Sequence, residues 1–195
     1  MYQTPRWIKK LEDVALSDKD ISNMLNGNVN ITLYPDLIHY RNLDELLGEH
    51  RACCLLFESK PQYGHWVAIF ETAMPDGGRG IEFFNSYGDL LGGFPDDSLA
   101  LIDPTWAKQS NQTHTYLSDL LINSPYKLTY NEYDFQKLPG PSPRKKGENH
   151  IRTCGRHCVV RLLMREYSLD EYKNWMEKMC DKYNLDPDGI VTLAT

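Results

Sequence analysis

Cys154, His157 and Cys158 fall within five residues of one another, in "TCGRHCVVRLLM" (153–164), where a polar segment gives way to an apolar helical pattern. Four chemistries are open to a cysteine at such a junction: metal ligation, a disulfide, a buried core thiol, and nucleophilic attack. Val159, Leu162 and Leu163 supply an inward face, so Cys154 is expected at or near a helix N-terminus. Unpaired backbone N–H groups and the helix dipole favour negative charge there. A free thiol titrates near about pH 8.5, and this setting beside a cation lowers that value. Thiolate is the attacking species, so the position suits a nucleophile. Gly155 would then let a substrate backbone come close, and the Cys154 N–H would hold an oxyanion.

The other chemistries carry less. His157 and Cys158 share a helix face with Cys154, but structural zinc wants four ligands and no CxxC or HxxxH pair accompanies them, so no metal is assigned. Five cysteines in a chain without a recognisable secretory leader point to reduced thiols. Cys53 and Cys54 are adjacent on an expected strand and would enter opposite layers of core. Cys158 reads as a small buried residue.

A cysteine nucleophile needs a base, and the base needs an orienting partner. His65 opens "HWVAIFET" (65–72), a strongly patterned strand and a rigid mount for an imidazole. Asn85 ends the next, in "GIEFFNSYG" (80–88), across the turn "MPDGGRG". Neighbouring strands would set the two side by side, with the amide fixing the imidazole tautomer and Trp66 walling the pair from water. The remaining elements frame these three. "RACCLLFES" (51–59) reads as a further antiparallel strand and "YKLTYNEYDFQ" (126–136) as another. Helices are expected over "LSDKDISNMLNG" (16–27, capped by Ser17 and stopped by Gly27), "NLDELLG" (42–48), "HTYLSDLLINS" (114–124) and "SLDEYKNWMEKMCDKYN" (168–184, capped by Ser168). Pro- and Gly-rich 137–153 reads as a loop. Trp7, Trp106 and Trp175 are assigned to packing, and His39, His50, His114 and His150 to the surface. The class is α+β, a central antiparallel or mixed sheet flanked by helices.

The order of "GHWVAIF", "IEFFNSYG", "NEYDFQ" and "TCGRHC" resembles the adenain and Ulp/SENP-like cysteine proteases, among them maturation proteases of adenoviruses, large DNA viruses and virophages. The likeness spans roughly residues 50–167. It implies a papain-like/adenain-like fold with Cys154 as nucleophile, His65 as general base and Asn85 as its orienter. It also implies an oxyanion-holding glutamine, matched by Gln136 at the end of "YNEYDFQ". The gap of 18 residues to Cys154 is longer than in relatives and requires a loop insertion. Glu148 has the shorter spacing, but a carboxylate would repel an oxyanion. Asn85 stands where many relatives carry Asp, so the imidazolium gains less stabilisation. The implied activity is an endopeptidase cutting virion capsid or core precursors, often after glycine. The alternatives are an isopeptidase removing a ubiquitin-like modifier and a silent binding module of the same fold.

A chain of 195 residues fits one domain, here divided into a helical segment over 1–50, the sheet over 51–136, the loop 137–153, and the nucleophile and C-terminal helices over 154–195. The net charge of −6 argues against a general nucleic-acid binder, leaving Arg144, Lys145 and Lys146 as the local cluster for DNA or another acidic activator. No resident cofactor is expected, and no apolar run approaches the roughly 18–20 residues a membrane span needs. The expected setting is a monomer in the cytosol-like compartment of a host cell and in the virion. "DLLGGFPDD" (89–97) resembles sites that adenain-like enzymes cut, though a glycine turn explains it as well.

Overall fold

A computed structural model describes residues 4–74, 76–88, 95–136 and 152–195. The frame is a five-stranded mixed sheet flanked by helices, with strands in sequential order: β1 (Asn30–Leu33), β2 (Ala52–Lys60), β3 (Tyr63–Ala73), β4 (Arg79–Phe84) and β5 (Leu128–Tyr130). β2, β3 and β4 form an antiparallel meander, and β1 and β5 join its two edges in parallel. The helices are α1 (Arg6–Glu12), α2 (Asp18–Met24), α3 (Leu43–Leu47), α4 (Pro104–Gln109), α5 (Tyr116–Ile122), α6 (Cys154–Leu163), α7 (Leu169–Tyr183) and α8 (Pro187–Ala194), with 3₁₀ turns at Tyr34–His39 and Pro95–Leu101. Among the described residues, no helix is long and apolar enough to cross a membrane.

The strand period of two divides the core between the faces. Cys54, Leu56, Trp66, Ala68 and Phe84 pack against α2, α6, α7 and α8; Cys53, Leu55, Phe57, Val67 and Phe83 pack against α3, α5 and the first 3₁₀ turn. Adjacent Cys53 and Cys54 therefore enter different layers, as alternation requires. One pair spans the first layer: the Arg161 guanidinium grips Glu82 bidentately at 2.8 and 2.7 Å, both side chains fully buried. The hairpin joining β2 and β3 is fixed by Gly64, where a Cβ would lie 1.8 Å from the Phe57 carbonyl oxygen, so only glycine permits this approach just before His65.

Ser17 and Ser168 close capping boxes with Asp20 and Glu171, which sets the starts of α2 and α7. Several expectations need correction. The segment 126–136 contributes only the three-residue edge strand β5; the chain then leaves the ladder, because Asn131 turns its side chain onto Asn85. The N-terminal stretch 1–50 is not wholly helical, since β1 lies within it. Leu163 is 62% exposed and does not face inward, whereas Val159 and Leu162 are buried. Trp7 is 54% exposed rather than packed. Arg144, Lys145, Lys146, Glu148, His150, most of 137–153 and the glycine pair at 92–93 lie outside the described residues.

Candidate functional site

β3 and β4 deliver an imidazole and an amide side by side. His65 Nε2 lies 2.9 Å from Asn85 Oδ1. The amide's orientation follows from a second contact: the Tyr87 backbone N–H, which can only donate, reaches the same Oδ1 at 3.0 Å. That atom is therefore the carbonyl oxygen, and Nε2 must carry the hydrogen it donates to it. The neutral His65 ring consequently bears its lone pair on Nδ1. The Tyr87 ring stacks on it, centroids 4.5 Å apart, and fixes its plane. Asn85 in turn gives its Nδ2 hydrogen to Ser98 Oγ at 3.3 Å. Its backbone is held at both ends by the Asn131 side chain, Oδ1 accepting from the Asn85 N–H at 2.9 Å and Nδ2 donating to its carbonyl at 2.6 Å.

Cys154 opens α6 and is buried. The backbone N–H groups of Trp66, the residue after His65, of Gly155 and of Cys154 itself favour its anionic form. The residue before it, Thr153, leaves these donors uncapped because its hydroxyl bonds to Asp188. Burial nevertheless dominates and holds the thiol above its ordinary value of 9.0; the three N–H groups oppose this, and the Asp188 carboxylate adds to it. Burial likewise pushes the His65 imidazole down to about 4, against the Asn85 hydrogen bond and with help from nearby His157. Desolvation thus favours the neutral thiol and the neutral imidazole, against the thiolate expected from the helix mouth.

Gln136 is buried and does not end a strand. Its N–H bonds the Ser86 carbonyl at 2.8 Å, and its Oε1 accepts from Ser86 Oγ at 2.7 Å, leaving the Nε2 hydrogens free of protein partners among the described residues. Its neighbour Phe135 lies with its ring 6.5 Å from that of His157, against the first turn of α6. Gly155 does not face an open cleft. A Cβ there would stand 3.2 Å from the Trp66 ring and 3.3 Å from Leu16, so this glycine lets α6 seat against Trp66 and α2. Trp66 is fixed by its Nε1–H donating to the Leu16 carbonyl at 3.1 Å.

Sequence reasoning missed Asp188. On α8, buried, its Oδ1 accepts from Thr153 Oγ1 and pairs with His157 Nε2 at 3.1 Å. His157 is fully buried and belongs to this cluster, with no partner for Nδ1 among the described residues. A span of 31 residues separates this carboxylate from its imidazole, and no local pattern marks it.

Fold and site together define an α+β chain in which a buried helix-mouth cysteine meets a strand carrying an amide-clamped imidazole. No family model matches the chain. It is 45% identical over 188 residues to "Uncharacterized protein V9" of Sputnik virophage, covering 96% of this chain and 98% of that one. The chain belongs to the family of that virophage protein.

Proposed function

We propose that this protein is a thiol endopeptidase of the adenain/Ulp-like class that processes virion precursor proteins. One observation carries the reading. The Asn85 clamp on Nε2–H leaves the Nδ1 lone pair of His65 as a base, on the same strand whose next backbone N–H, at Trp66, favours the anionic form of Cys154. The virophage relative supports a viral setting.

Starting from the neutral pair, Nδ1 of His65 takes the thiol proton as Cys154 Sγ attacks a peptide carbonyl. The carbonyl's electron pair moves to oxygen, held by the Cys154 N–H and the Gln136 amide. His65 returns the proton to the departing amine, leaving a thioester that water hydrolyses with His65 again as base. Asn85 stabilises the imidazolium through its dipole alone, so the ion pair forms with substrate present rather than at rest. Incubating wild type and Cys154→Ala with candidate capsid and core precursors tests the reading: wild type cleaves and the variant does not. Equal cleavage by both removes the proposal.

A further inference from the structure

A groove of about 500 Å³ runs from Trp66 away across the sheet. Its floor is one row of side chains: Leu33 is in register with Leu56, and Leu56 with Trp66, so all three project from the same face. Its walls carry Asp18, from the first turn of α2, and Asp36, from the 3₁₀ turn Tyr34–His39. Neither carboxylate has an ion-pair partner among the described residues, and the other ionisable groups lining the groove are His39 and Tyr40.

An apolar floor beneath unpaired carboxylates matches one kind of side chain. Lys and Arg lay a hydrocarbon stem along apolar surface while the cationic head reaches outward. A purely apolar residue would leave both carboxylates unmatched, and an acidic one would be repelled.

We infer that this groove is a specificity subsite of the proposed protease, taking an extended peptide with a lysine or arginine held by Asp18 and Asp36. The position of the groove beside the reacting groups rests on the protease reading; its preference for a cation does not. The test uses the full chain carrying Cys154→Ala, so that peptides bind uncleaved. Fluorescein-labelled nonapeptide pools, each fixed at one position as Lys, norleucine or Glu, are titrated by polarisation. One position shows about a tenfold preference for Lys over norleucine, a larger one over Glu, and a decline with salt. Asp18→Asn with Asp36→Asn removes the preference, and Asp36→Lys turns it towards Glu. Both sites are exposed, and the α2 capping box uses Ser17 and Asp20, so these variants keep the wild-type melting temperature within a few degrees. Equal affinity for the three pools, or a Lys preference surviving the double substitution, overturns the inference. Hydrolysis by wild type without a basic preference sinks the subsite and spares the protease. A basic preference in a wild type that cleaves no peptide does the reverse.

Discussion

Asn85→Asp isolates what an amide in place of a carboxylate does to the imidazole. His65 is more than nine-tenths buried, and its value falls from 6.5 to about 4. Between those two pH values the unfolded chain takes up a proton that the native chain refuses. Native stability therefore falls as pH falls through this window, by about 3 kcal/mol in all, and levels off below about pH 4. In Asn85→Asp a carboxylate would stand 2.9 Å from Nε2, with the Tyr87 N–H and the Ser98 hydroxyl still placed to donate to it. A charge at that distance raises a histidine by about one to three pH units. That returns His65 to roughly 5–7 and reduces the acid-linked loss to about 2 kcal/mol or less. Ring-carbon NMR titration of histidine-labelled protein, with urea melts at pH 4, 5, 6 and 7, reads both quantities. If His65 titrates at the same pH in both proteins, or wild-type stability is flat across the window, the desolvation argument is wrong.

Other outcomes follow from the same structure. Iodoacetamide labelling of Cys154 in the free protein should be slow at pH 6 and 7 and climb above pH 9, because burial holds the thiol above its ordinary value; rapid labelling at pH 6 would reveal a resting ion pair instead. Arg161→Met leaves the buried Glu82 carboxylate alone and should cost about 3–5 kcal/mol in chemical denaturation, whereas pairing it with Glu82→Leu should recover most of that loss. Gly64→Ala forces apart the β2–β3 hairpin and should cost at least about 3 kcal/mol by thermal melting; near-neutral behaviour would mean the hairpin reshapes freely. Asp188→Asn should lower stability by about 1–3 kcal/mol and shift the His157 ring resonances, with Asp188→Glu failing to restore them in this tightly enclosed position.

What could be seen in the sequence was whatever left a local trace. "HWVAIF" and "IEFF" are short apolar and aromatic runs bounded by turn residues, so β3 and β4 were legible and put His65 and Asn85 at strand ends. The apolar face of α6 likewise exposed the helix mouth at Cys154. β1 escaped notice because "NITL" is short and set among Asn and Gly, and it is held by parallel pairing to β2, which nothing nearby in the chain announces. The strand expected over 126–136 was overdrawn for the opposite reason: its alternation continues, but Asn131 spends its hydrogen bonds on Asn85 and ends the ladder. The upward push on the Cys154 thiol was not legible, because a helix mouth can be read from spacing, whereas the depth of burial around it cannot. Asp188 and its imidazole meet only through the packing of α8 on α6.

The Asn131 side chain behaves as a single borrowed rung. β4 and β5 stop pairing at Phe83 and Tyr130, and the carboxamide of Asn131, the residue just beyond, reproduces at Asn85, just past the end of β4, the donor and acceptor that a longer partner strand would have offered. The amide that sets the histidine's tautomer therefore takes its bearings from the outermost and shortest strand of the sheet. Leu128 and Tyr130 are each nearly half exposed on that strand, so tugging on this thin outer hem would reach the imidazole through one carboxamide.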